Sequence, residues 1–272
     1  MPLSSLDRRG IFILSVVGAV AAVLLAAVVG VTWSRPLVGP DNCVYRDRRF
    51  LSRAPTDQTV VLVDQSEALT ESHRRFALSF IKDYVADDAR FPVRSRIALF
   101  TFSKATFELR SGPRLRPGSD LCRPPSRGND LYENNRKITK DFHQRFLVPV
   151  TATLEQSLTT EVGEQSPILE TLQLMSRSQE IDDGGRKTLI IVSDMLQHTA
   201  AFNHYGPGRG WDDFVRSGFA ADVKADFRDW NVIVIYLRRY HDRQLQQAAH
   251  IDFWQRYFHE AGAKIVRWAG VD

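Results

Sequence analysis

The 272-residue chain is expected to form an α/β domain carried on one N-terminal transmembrane helix. The domain is a doubly wound, mostly parallel six-stranded sheet of Rossmann-like order 3-2-1-4-5-6, with helices on both faces. Three observations predict this. Short continuous apolar runs of strand length recur along residues 59–272, as in strands buried on both faces. Segments with apolar residues at helical spacing separate them, the alternation that builds a parallel sheet. Upstream, Ile11 to Val31 is 21 residues without a charge.

That upstream segment makes a helix of roughly 32 Å, which matches a hydrocarbon core of about 30 Å. Arg8 and Arg9 precede it, and Trp33 and Arg35 follow as interface anchors. It is longer than the ~7–15 apolar residues of a signal peptide, so 11–33 is read as an uncleaved span in the lipid bilayer and 1–10 as a short tail. Arg8 and Arg9 favour the tail on the cytoplasmic side, leaving the domain extracytoplasmic (periplasmic), although Arg46, Arg48, Arg49 and Arg53 weaken the contrast. Gly18, Ala22, Ala26 and Gly30 recur every four residues on one stripe, the spacing that lets membrane helices self-associate closely.

Residues 34–58, with Pro36, Gly39, Pro40 and Pro55, read as a stalk. The domain at 59–272 then proceeds element by element. Thr59–Asp64 is the first strand, and Ala77, Phe80, Ile81, Tyr84 and Val85 mark an amphipathic helix. Arg96–Ser103 is the second strand, with Ala105–Leu109 as a short hairpin partner. Residues 110–132, with four prolines, three glycines and no period, read as loop. They begin an insertion of about 110–145, where nine basic residues face four acidic ones; a solvated surface is the simplest reading. A polar helix is expected from Glu133 to Leu158 with an interruption near Pro149. Another starts at Pro167, and Asp182–Gly185 is a turn. Thr188–Ser193, Val232–Leu237 and Lys264–Trp268 complete the sheet. Between them, Val215, Phe219, Val223 and Phe227 fit one helix, and Ile251, Trp254, Phe258 and Ala261 fit another. Trp211, Trp230, Trp254 and Trp268 read as packing residues.

Lys plus Arg total 36 against 32 Asp plus Glu, a net charge of +4. Spread over the whole chain, this does not point to nucleic acid. Two cysteines, Cys43 and Cys122, allow one disulfide and no thiolate zinc site. A phosphate-binding glycine loop, a dinucleotide fingerprint, a nucleophile elbow and a His-Glu-x-x-His pair are absent from the sequence. No base is visibly matched to a nucleophile, so the chain is read as a non-enzyme.

In open α/β sheets the site lies beyond the carboxyl ends of the strands, where strand order reverses. Asp64 closes the first strand and Asp194 the fourth, with Ser66 just after the former. In the order 3-2-1-4-5-6 those strands are neighbours, so the two acids face each other across the crevice. Carboxylates and hydroxyls without His or Cys suit a hard cation such as Mg²⁺. His198, His204 and Tyr205 fall in the following loop, where solvent-exposed histidines are the expectation.

Here the sequence resembles the von Willebrand factor A-like domains, whose metal-ion-dependent adhesion site combines Asp-x-Ser-x-Ser after one strand, a separate Thr before a helix, and an Asp ending a later strand. This chain has Asp64-Gln65-Ser66-Glu67-Ala68, Ser166-Pro167 in place of Thr-Pro, and Val192-Ser193-Asp194. The resemblance implies a protein-binding module. Asp64, Ser66, Ser166 and Asp194 would hold Mg²⁺ or Mn²⁺, which a carboxylate from a partner protein completes at the top of the sheet. Ala68 removes one hydroxyl ligand, and Glu67 adds a charge outside the pattern. Two alternatives stay open: a Mg²⁺-dependent phosphoryl or ester hydrolase using the same carboxylates, and a structural anchor with a decayed site.

Overall fold

The computed structural model describes residues 16–27, 37–39, 41–46, 49–50, 57–103, 114–116, 120–128, 133–159, 165–178 and 185–272. The chain divides into two units. In the first, helix α1 covers 16–27 and every residue of it is exposed. The same unit holds three short strands, β1 (Leu37–Val38), β2 (Val44–Arg46) and β3 (Arg49–Phe50), paired antiparallel in that order. The segment expected as a plain stalk thus contains a small sheet. The ends of the expected membrane span, 11–15 and 28–33, lie outside the described residues. Among the described residues no helix is long and apolar enough to cross a membrane.

The second unit is the α/β domain. Its sheet is built from β4 (Asp57–Asp64), β5 (Arg96–Phe102), β6 (Arg114–Leu115), β7 (Leu121–Cys122), β8 (Arg186–Ser193), β9 (Trp230–Leu237) and β10 (Lys264–Val271). The order is β10-β9-β8-β4-β5-β6, with β7 also pairing β5. Numbered in chain order without β7 and read from the β6 edge, these six strands run 3-2-1-4-5-6, and β7 makes the sheet seven-stranded, one more than expected. The pairs β4–β5, β4–β8, β8–β9 and β9–β10 are parallel, whereas β6 and β7 run antiparallel to β5. The sheet is therefore mixed at one edge.

Successive side chains of a strand point to opposite faces, and both faces are covered here. Val60, Leu62, Leu189, Ile191 and Val234 meet helices α5 (Ile168–Ser176) and α8 (Ala248–Glu260) in one core. Val61, Val63, Ile190, Val192 and Ile235 form the other. They pack with α2 (Glu71–Ala86), α3 (Asn135–Phe142) and α4 (Val148–Ser157). Two-sided burial is why these strands read as unbroken apolar runs. Thr70 starts α2 by accepting the His73 amide at 3.1 Å through its hydroxyl. Thr70→Ala is expected to cost about 1 kcal/mol, to be measured by urea unfolding; an unchanged midpoint would show the cap carries no weight.

Pro149 marks the interruption expected in the polar helix. A wide π turn, His143–Leu147, joins α3 to α4 at this point. Proline has no N–H to give the carbonyl four residues back, which is Arg145, and the Asn42 side-chain amide donates to that carbonyl at 2.9 Å. Three sequence expectations need correction. The 110–132 loop contains the two-residue strands β6 and β7. Arg123 is no solvated surface charge: it is fully buried and donates to the Val85 and Ala86 carbonyls at the end of α2. The single helix through Val215–Phe227 is two short ones, α6 (Trp211–Arg216) and α7 (Phe219–Asp222), split where Gly218 turns left-handed at φ 79°. Ala105–Leu109 and residues 181–184 lie outside the described residues.

Candidate functional site at the carboxyl edge of the sheet

β4 and β8 are adjacent and parallel, which brings Asp64, Ser66, Ser166 and Asp194 to one edge. Asp64 is buried, 7% exposed. Its Oδ1 accepts the Ser66 amide at 2.9 Å, and its Oδ2 accepts the hydroxyls of Ser166 at 3.1 Å and Ser193 at 2.8 Å. Ser166 is held there by paired backbone hydrogen bonds to His198, which tie the start of α5 to the loop after β8. The Ser66 hydroxyl is buried without a hydrogen bond of normal geometry.

Asp194 is 4% exposed. Its Oδ1 accepts the Leu196 amide at 2.9 Å, while Oδ2 meets Arg239 Nε at 2.5 Å. The same Nε lies 2.9 Å from Glu67 Oε2, and Nη1 donates to the Ala68 carbonyl at 2.9 Å. Glu67 also accepts the Tyr205 hydroxyl at 3.2 Å. Gln246 fixes the backbone around the arginine: its Oε1 accepts the Arg239 amide, and its Nε2 donates to the Asp194 and Leu237 carbonyls.

Burial raises the pKa of Asp64, and the neighbouring Asp194 charge adds to this. Asp194 is pushed up to about 6, chiefly by burial; Arg239 pulls it down and Glu67 pushes it up. Burial opposes the charge on Arg239, but Asp194 and Glu67 outweigh it and raise its pKa. Asp194 and Glu67 thus meet at one guanidinium.

The family resemblance implies a divalent ion held by Asp64, Ser66, Ser166 and Asp194. Both Asp64 oxygens and both Asp194 oxygens already accept hydrogen bonds, and Ser166 donates its hydroxyl proton to Asp64. A guanidinium lies against Asp194, Glu67 and the main chain of Ala68, the residue that lacks the third hydroxyl. Among the described residues no group of three His, Cys, Asp or Glu is arranged to hold a metal. As arranged, these residues do not fit a resident divalent ion.

Arg239, Glu67, Ser193 and Gln246 were not assigned to the site from sequence. The signal for Arg239 was its place two residues beyond β9, a neighbour of β8 in the expected order. His204 also departs from expectation. It is 2% exposed, and its Nδ1 accepts the Gln197 amide, so it packs in the core rather than facing water. Elsewhere in the domain Cys43 and Cys122 are joined as a disulfide, with Cα atoms 4.8 Å apart.

No family model and no curated protein sequence matches this chain. Solved structures similar to it include the conserved hypothetical protein BatB from Bacteroides thetaiotaomicron. That match has a TM-score of 0.39 and 13% identity, and covers 79% of this chain and 90% of that one. A von Willebrand factor type A protein from Catenulispora acidiphila matches at 0.35 and 12%, over 77% of this chain and 43% of its own. The pilus adhesin SpaC from Lactobacillus rhamnosus GG matches at 0.36 and 11%, over 81% and 28%. This chain spans less than half the length of the last two. The fold assignment rests on the strand order and pairing described above, independently of these scores.

Proposed function

We propose that the chain is a membrane-anchored protein-interaction module that meets its partner at the carboxyl edge of the sheet. The carrying observation is the convergence of Asp64, Ser66, Ser166 and Asp194 at the point where strand order reverses, the usual location of sites in open α/β sheets. Beside it the loop after β9 presents Tyr240, 79% exposed, with the Arg243 guanidinium 5.5 Å from its ring. Tyrosine and arginine are among the residue types enriched at interface hot spots.

Residues 11–33 are the proposed anchor. Within them the described helix exposes Val16, Val17, Val20, Val23, Leu24 and Leu25, and a helix apolar all round calls for a lipid or protein surround. The side outside the cytoplasm is proposed for the domain. The Arg8–Arg9 pair supports it, as does a disulfide, a bond that persists in oxidising compartments. Self-association through Gly18, Ala22, Ala26 and Gly30 is a further part of this reading.

The test is crosslinking of the full chain in intact membranes followed by mass spectrometry, comparing wild type with Tyr240→Ala/Arg243→Ala. Both side chains are exposed, so the variant should keep its fold. A crosslinked protein present with the wild type and lost with the variant is expected. An identical crosslink set from both would place the interface elsewhere.

A further inference from the structure

We propose that Arg239 is the resident cation of this site, so that the site is organised without a divalent metal ion. A buried carboxylate, Asp194, with a half-buried one, Glu67, close by calls for a counter-charge. Here a side chain supplies it. Arg239 is only 16% exposed and bridges Asp194, at 2.5 Å, and Glu67, at 2.9 Å. Its remaining reach goes to the Ala68 carbonyl at 2.9 Å. Ala68, where the adhesion-site pattern has its third hydroxyl, and Glu67, at a position that the pattern leaves open, are thus the residues that Arg239 touches besides Asp194. Glu67 provides a second carboxylate for the guanidinium. Ala68 has no hydroxyl to offer a metal, but its main chain accepts Nη1.

The position of the arginine is also fixed in advance. Gln246 is 7% exposed and uses its amide to join the Arg239 N–H to the carbonyls of Asp194 and Leu237. The guanidinium therefore starts from a backbone already tied to the carboxylate it neutralises. Arginine stays charged at every physiological pH and holds a rigid donor fork, whereas a bound Mg²⁺ comes and goes with its concentration. A site built this way is permanently organised. It also presents a partner with one positive charge already shared between carboxylates, in place of an open metal coordination position. This inference concerns the same edge as the protein-binding reading, but its readouts are metal uptake and folding. Its failure would leave the crosslinking result untouched.

The experiment uses the full chain in detergent. Mn²⁺ uptake is read by electron paramagnetic resonance, and melting is followed with millimolar Mg²⁺ or Mn²⁺ and with a chelator. The wild type is expected to take up no Mn²⁺ and to melt at one temperature throughout. Arg239→Ala/Ala68→Ser, which removes the guanidinium and restores the hydroxyl, is expected to gain Mn²⁺ uptake and a metal-dependent rise in melting temperature. Should that variant not fold, Arg239→Met alone is compared with Arg239→Met/Asp194→Asn. Removing the carboxylate that needs the cation is expected to recover folding. Wild-type Mn²⁺ uptake that is lost in Asp194→Ala would overturn the proposal. So would a folded Arg239→Ala/Ala68→Ser variant as indifferent to Mn²⁺ as the wild type, or a second substitution that recovers nothing.

Discussion

Opening the Cys43–Cys122 bridge is expected to lower the unfolding free energy of the domain by about 4 kcal/mol on the chain-entropy model. The bridge spans 79 residues of sequence, so the reduced unfolded chain regains the freedom of a long loop. The native side of the balance should change less. Cys122 remains paired with Arg96 through β7, and its amide donates to the Asp41 carbonyl at 2.8 Å. Gly39 donates to the Cys43 carbonyl, and Asn42 holds Arg145. Both cysteines are buried, at 1% and 5% exposure, so reduction of the folded protein should be slow until denaturant opens this corner. Urea unfolding of wild type with and without reductant, alongside Cys43→Ser/Cys122→Ser, measures the effect. The denaturant slope should also steepen as the unfolded ensemble expands. Equal midpoints in all three samples would remove the bridge from the stability of the domain.

Much of the frame was legible because burial on both faces leaves a distinctive trace. β4, β5, β8 and β9 are central strands flanked by helices, so both of their side-chain sets must be apolar, and a continuous run cannot be missed. α2 and α8 show a 3.6-residue period because one face of each meets the sheet. Prolines 149 and 167 act through the missing N–H and fixed φ, which are local and therefore readable. The failures are equally physical. β6 and β7 are two residues each, too short to show any alternation, and only their pairing with β5 defines them. Val215, Phe219, Val223 and Phe227 keep a helical spacing, yet Gly218 at φ 79° ends one helix and begins another. In the site, the carboxylates were visible because each closes an apolar run. Arg239 and Gln246 were not, since they reach the site from the loop after a different strand. Nothing in the spacing of Arg238 and Arg239 says which of the two turns inward. Burial of His204 was hidden for a similar reason: three of its ring neighbours, His250, Phe253 and Trp254, come from α8, about 50 residues further along the chain.

The destabilisation caused by His250→Gln is expected to shrink by about 2 kcal/mol between pH 7 and pH 5. His250 is 7% exposed and sits beneath the loop after β8. Its Nε2 lies 2.9 Å from the Met195 carbonyl, which can only accept, so Nε2 carries the proton. Nδ1, 2.8 Å from the Tyr236 hydroxyl, is then the acceptor. The neutral ring satisfies both partners, and burial lowers its pKa to about 4. The unfolded chain takes up this proton near pH 6.5, while the folded chain does so only near pH 4. The unfolded state thus binds more protons across that window. Stability from this residue is present above about pH 6.5 and is lost as pH falls towards 4. His204, lowered in the same direction by burial and by His250, adds to the loss. Asp194 acts with the opposite sign. Its folded value of about 6 lies above the ordinary carboxylate range, so it favours the folded state as pH falls through that value. The two contributions offset each other in the wild-type profile, which is why the variant is needed. Glutamine keeps one donor and one acceptor but does not titrate, so subtracting its unfolding free energy from that of the wild type at each pH reports His250 together with its coupling to His204. A difference that stays constant from pH 7 to pH 5 would show that His250 takes up its proton equally in the folded and unfolded chain.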